Sequence, residues 1–260
     1  MPSSLAAIKN ERFAVDPRQP AYLHPGGSTA VGSNVEYRLG KLKETGVLKG
    51  VWLDYGCADG GYTAALTRYG AEKAVGVDPD RDRIEMAKAK GASDTVSFAW
   101  YDGQELPFEA ESFNGVFLNE VLEHVLDEPA TLAEIRRVLR PGGHLAVMSP
   151  NRWFPFEGHG MRVMGRDLGF PIPFLPWLPS RLAMRFMSAR NYWPYELRNV
   201  VARSGLEIVS VSYVLPVFEV YPWLPQGLIR LYRRLMPVIE RAPGLRKFGV
   251  STFVLARRPV

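Results

Sequence analysis

The sequence has one cysteine and four histidines in 260 residues, and that scarcity removes whole classes of chemistry. Cys57 has no intramolecular disulfide partner, which fits a reducing, cytoplasmic setting, and alone it cannot build a thiolate metal site. His24, His124, His144 and His159 show no metal-ligand spacing, so no metal is expected. Long hydrophobic runs are also missing. The most apolar stretch, FPIPFLPWLPSRL from Phe170, is broken by proline and arginine before the roughly 20 residues a spanning helix needs. The start, MPSSLAAIKNERF, has neither the charged flank nor the apolar core of a secretory signal. Acid is scarce in one region only. From Arg230 to Arg258 eight basic residues face the single acid Glu240, although the whole chain carries a formal charge of +5.

What is present suits one globular domain with elaborations, since 47% hydrophobic residues supply a sizeable core. Residues 1–45 are polar and rich in turn formers, HPGGSTAVGS above all, and read as a mobile N-terminal arm. The domain then occupies 46–260. Short buried strands are expected at 51–56, 73–80, 96–102, 113–120 and 144–150, with helices between them at 63–70, 82–91 and 131–140. Two further strands follow at 206–214 and 251–258, the first preceded by a helix near 195–203. This alternation predicts an α/β fold, an open, mostly parallel sheet with helices on both faces and its ligands at the carboxyl ends of the strands. Two stretches interrupt it. Residues 151–195 form an aromatic-rich, proline-punctuated insertion read as a cap. Residues 215–248 form a basic amphipathic insertion whose helix, interrupted by Pro237, aligns Leu224, Leu228, Leu231, Leu235 and Val238 in one stripe. The preferred reading packs that stripe on the domain and leaves the arginines in water; the alternative lays it on an anionic membrane surface.

The stretch LDYGCADGGY, residues 53–62, runs from the first strand into the turn after it and holds three glycines and two acids. A strand ending in a glycine turn lets backbone N–H groups approach a ligand closely. The spacing matches neither GxGxxG nor GxxxxGK[ST], and Asp54 and Asp59 would repel a pyrophosphate. LDYGCADG resembles the first motif of the class I S-adenosylmethionine-dependent methyltransferases, roughly (L/V)(D/E)xGCGxG. The likeness continues through VGVDPD, WYDGQELPF, FNGVFLNEVLEHV and RRVLRPGGHLAVMSPN, and so covers residues 50–151. It implies a seven-stranded Rossmann-like sheet and an S-adenosylmethionine site on Asp54, Gly56, Cys57, Ala58 and Gly60. It also implies Asp78 and Pro79 at the ribose, Asp102 and Gly103 at the adenine, and Asn119 beside the methionine part. Two departures stand out: Ala58 where the family usually has glycine, and Asn114 where aspartate is common.

Methyl transfer from a sulfonium asks the protein to align donor and acceptor and, where needed, to remove a proton. His159, just past the fifth strand, and His124, four residues after Glu120, are the candidate bases, with structural hydrogen bonding as the alternative for each. Cys57 is expected to pack behind the turn. Among the cap aromatics Trp153, Phe156, Tyr192 and Trp193 are candidate substrate contacts, and cap arginines such as Arg152 and Arg190 are placed to hold an anionic group; the alternative is that the aromatics form the cap's own core. The expected function is methylation, on oxygen by preference, of a small hydrophobic acceptor, lipid-like or a secondary metabolite. The rivals are a non-catalytic cofactor-binding or membrane-associated module and an RNA methyltransferase, the last disfavoured because no (N/D)PPY sequence or RNA-binding appendage is present. The oligomeric state is open.

Overall fold

The computed structural model describes residues 32–157, 161–163, 166–168, 172–187, 189–218 and 224–260. Seven strands make the main sheet: β1 (Val51–Tyr55), β2 (Lys73–Asp78), β3 (Val96–Trp100), β4 (Phe113–Asn119), β5 (Leu139–Pro150), β6 (Glu207–Val214) and β7 (Ser251–Arg257). Their order is β6-β7-β5-β4-β1-β2-β3. β1 to β5 pair in parallel, while β7 runs antiparallel to both β5 and β6.

Strand periodicity sends alternate side chains to opposite faces. Leu53 and Tyr55 join a core with Leu132, Ile135 and Val138 of α4 (Glu128–Val138) and with Leu197 and Val201 of α6 (Pro194–Arg203). Trp52, between them, joins the opposite core with Leu39 and Leu42 of α1 (Gly32–Glu44) and Ala65 and Leu66 of α2 (Gly61–Tyr69). α3 (Arg81–Gly91) packs Ile84 and Ala87 against Val96, Phe98 and Cys57. The remaining helices are α5 (Ser180–Phe186) in the cap and α7 (Gln226–Arg241).

Three expectations are corrected. Within the expected mobile arm, Gly32–Glu44 is a helix with Val35, Arg38, Leu39 and Leu42 buried, and residues 1–31 lie outside the described residues. The helix expected at 131–140 is shifted towards the N-terminus. That helix starts earlier, where the Asp127 side chain accepts from Ala130 N, stops at Val138, and leaves PGG inside β5. α7 continues through Pro237, which lies on the exposed side where the missing N–H costs least. The cap carries two short strand pairs, Phe156–Glu157 with Ile172–Pro173 and Met161–Val163 with Arg166–Leu168. Among the described residues no helix is long and apolar enough to cross a membrane.

Candidate active site

The carboxyl ends of β1 to β4 bring the motif residues to one edge. After β1 the chain turns sharply: Gly56 N and Cys57 N donate to Val77 O of β2 at 2.8 and 2.9 Å. Gly56 has φ 78, and a Cβ there would meet Val121 at 2.6 Å. Gly60, with φ 82, precedes α2 so closely against α3 and β3 that a Cβ would meet Phe98 at 2.7 Å. Ala58, the departure from the family pattern, does adopt a left-handed φ of 48.

That conformation aims Ala58 N at Asp78. The buried Asp78 carboxylate accepts from Ala58 N at 2.9 Å through Oδ2 and from Asp80 N at 3.0 Å through Oδ1. Burial raises its pKa, and those two backbone donors partly offset the rise. Each oxygen keeps a lone pair for a further donor. Pro79 accepts from Trp100 Nε1 at 2.8 Å, which ties the ends of β2 and β3 together. Asp102 is exposed, and its Oδ1 accepts from Glu105 N and Gln104 N, both at 2.9 Å. Those donors hold its pKa below the usual carboxylate range. Gly103 follows it with φ 85.

Asp54 faces inward instead, accepting from Thr63 Oγ1 at 2.6 Å. Burial raises its pKa to about 7. Cys57 is buried as expected, and burial, with Asp54 and Asp78 nearby, pushes its thiol well up. Asn114, the second departure, accepts from Val51 N at 2.9 Å and so fixes the start of β1 beside β4.

At the end of β4 lies a cluster that motif reading did not find. Arg38 Nη1 donates to Asn119 Oδ1 and Glu120 Oε1, both at 2.8 Å, and Nη2 to Ser251 Oγ at 2.9 Å. Burial is the largest influence and works against the guanidinium charge, but Glu120, Tyr62 and Glu123 together outweigh it and the Arg38 pKa is raised. Glu120 has a left-handed φ of 54. Glu123, fully buried, accepts from Ser149 Oγ at 3.0 Å, and burial followed by Glu120 raises its pKa well above the usual range. Polar groups meeting from α1, the end of β4 and β7 leave no local sequence signal; the Glu120/Glu123 pair just after a strand is the one hint of them.

Beyond this cluster a cavity of about 30 Å³ is lined by Glu120, Pro150, Asn151, Phe154, Phe156, Asn191 and Val250. Phe156 is thus brought to the site, 43% exposed and 5.7 Å from the Phe154 ring. Trp153 and Trp193 pack on each other at 5.1 Å, outside that lining. Tyr192 is corrected: it is 3% exposed in the main core, and its hydroxyl donates to Glu128. Arg152 and Arg190 are likewise internal. Arg152 donates to Pro176 O, Leu178 O and Ser180 Oγ, and Arg190 pairs with Glu128. The cap's own core is Leu175, Ala183 and Met187, with Phe186 against it, so most of its aromatics lie elsewhere. His159 lies outside the described residues. His124 ends a 3-10 turn, Leu122–His124, separate from α4, so it does not share a helical face with Glu120. A larger cavity, about 330 Å³, is lined by none of these residues and sits under α7. Among the described residues no His/Cys/Asp/Glu group is arranged to hold a metal.

A parallel sheet of this order with an antiparallel β7, a glycine turn after β1 and a buried acid ending β2 defines a class I, Rossmann-like methyltransferase fold. The chain belongs to the S-adenosylmethionine-dependent methyltransferases, and residues 53–147 match the Methyltransferase domain family. An uncharacterized methyltransferase of Mycobacterium avium is 39% identical over 213 residues, covering 80% of this chain and 76% of that protein. A ubiquinone biosynthesis O-methyltransferase of Rhizobium etli is 32% identical over 160 residues, covering 61% and 60%. A putative S-adenosylmethionine-dependent methyltransferase structure from Listeria monocytogenes shares the fold at 17% identity, with TM-score 0.59 over 88% of this chain and 100% of that one.

Proposed function

We propose that this enzyme methylates a small, largely hydrophobic acceptor, lipid-like or a secondary metabolite, on oxygen. The observation that carries the reading is the side-chain grouping beyond Asn119, where Phe154 and Phe156 offer apolar contact beside one carboxylate, Glu120; the cleft between them, about 30 Å³, has to widen to admit an acceptor. The O-methyltransferase name of the Rhizobium etli relative supports oxygen as the acceptor atom.

The residues fit the family's cofactor. Asp78 would hold the ribose diol with its two remaining lone pairs, since its other bonds come from the backbone. The turn from Gly56 to Gly60 leaves room for close approach, Asp102 with Gly103 would flank the adenine, and Asn119 would meet the methionine part. S-adenosylmethionine, when bound, supplies a methyl group on a sulfonium, open to in-line displacement. The chain's own work is alignment and proton removal. Arg38 fixes the Asn119 and Glu120 side chains, so Glu120 meets an acceptor hydroxyl in a set orientation and takes its proton. The strained φ of Glu120 is consistent with a group held for function.

Calorimetric titration of ligand-stripped protein with S-adenosylmethionine and S-adenosylhomocysteine tests the cofactor site. Asp78→Ala should weaken both by roughly 10–100-fold, the worth of hydrogen bonds to a charged group; unchanged affinity removes the ribose assignment. With hydroxylated apolar acceptors, Glu120→Gln should lower kcat by about 100-fold or more. If only His159→Ala does so, the base is the histidine.

A further inference from the structure

We propose that α7 and the turn after it dock the enzyme on an anionic lipid bilayer, with an apolar stripe in the interface and arginines at the headgroups. The helix has three faces. Ile229 and Met236 are buried, with Tyr232 and Ile239 half-buried beside them, so one face is seated on the domain. On that seated side Glu240 bonds the Tyr37 hydroxyl and pairs with Lys41 of α1 at 2.7 Å. The second face is apolar and outward: Leu228, Leu231, Leu235 and Val238 are 59, 54, 45 and 61% exposed. The third carries Arg230, Arg233, Arg234 and Arg241, all exposed. The stripe expected to pack on the domain therefore faces away from it.

The patch extends beyond the helix. Phe248, 40% exposed, stacks edge-on with Trp153 at 6.0 Å and lies against Trp177 at 6.3 Å, and both tryptophans are partly exposed. Phe248 also lines the cavity under α7 with Tyr232 and Ile239, so these rings adjoin the helix along its seated side. Partly exposed tryptophans at the edge of an apolar surface suit the boundary between headgroups and acyl chains.

Charge selects the occupant. Six basic residues lie from Arg230 to Lys247, and the one acid there, Glu240, is turned to α1. A second copy docking by two-fold symmetry would oppose these charges to themselves. Nucleic acid would satisfy the arginines but leave the leucine stripe in water. An anionic bilayer satisfies both at once, and this inference holds whatever the methyl acceptor is.

The test is sedimentation of the full chain with vesicles of phosphatidylcholine, alone and mixed with phosphatidylglycerol, at low and high salt. Retention is expected on the mixed vesicles and loss of it at high salt. Replacing Arg230 and Arg234 by glutamine should weaken partitioning by about fivefold per arginine. Leu231→Glu with Leu235→Glu should abolish it, while calorimetric S-adenosylhomocysteine binding stays unchanged in both variants and shows the fold intact. The proposal is overturned by no retention of the unaltered protein, by equal retention on neutral vesicles, or by retention that survives the leucine changes.

Discussion

At the scale of single residues, β1 and the turn after it carry two effects that can be measured. Ala58 occupies a left-handed φ of 48, where a Cβ is disfavoured by about 1 kcal/mol. Ala58→Gly should therefore raise Tm by roughly 2–4 °C in a domain of this size; a lower Tm in a thermal melt would mean the position is not strained. Asp54 holds its proton longer in the folded state than in the unfolded one, because burial raises its pKa from 3.8 to about 7. The folded state then binds more protons across that window. Asp54 favours folding below it, and its contribution is lost as pH rises through about 7. Asp54→Asn keeps an acceptor for Thr63 and removes the titration, so the decline of Tm across that window should flatten by the equivalent of about 1–4 kcal/mol. An unaltered slope would show that Asp54 does not titrate there.

At the scale of elements, α1 is fastened to the sheet by a charge as well as by apolar packing. Removing Arg38 leaves Glu120 with its Ser251 bond but without its cation, and breaking such a pair costs about 3–5 kcal/mol. Arg38→Met should lower Tm accordingly, and Arg38→Met with Glu120→Gln should regain part of it; equal losses in both would argue that packing alone holds α1. The same helix marks the limit of what was legible in the sequence. β1 to β4 read clearly because parallel strands are covered on both sides and appear as short continuous apolar runs. α1 follows a glycine-rich stretch, and one of its four buried positions is an arginine, so its inward stripe looks polar. Within the candidate site, Gly56, Asp78 and Asn119 could be named from the family resemblance because each of its motifs is local to one strand end. Arg38 and Ser251 meet Glu120 only through folding, and composition could not tell Tyr192, turned into the core, from Phe156, turned to the cavity. Likewise the stripe of α7 was visible in periodicity, but which face the domain would cover was not.

At the scale of the whole molecule, the cofactor edge gathers groups from four strands, so a ligand held there stabilises the sheet as a unit. S-adenosylhomocysteine at about 100 times its Kd should add ~2.7 kcal/mol. That corresponds to a rise in Tm of roughly 5–11 °C in a thermal shift assay. Asp78→Ala should shrink the rise at the same concentration; a full rise in the variant would place the ligand elsewhere. The position of β7 carries a further consequence, for synthesis. It lies between β5 and β6, yet it is the last of the seven strands to leave the ribosome. β6 ends at Val214 and β7 begins at Ser251, so at a translation rate of about 5–20 residues per second β6 waits roughly 2–7 s for its partner in the sheet. During that wait β5 presents an open, apolar edge. A nascent chain halted in the insertion before Ser251 would expose that edge for as long as it stalled, so protection of the growing polypeptide by chaperones matters most while the α7 segment is being made.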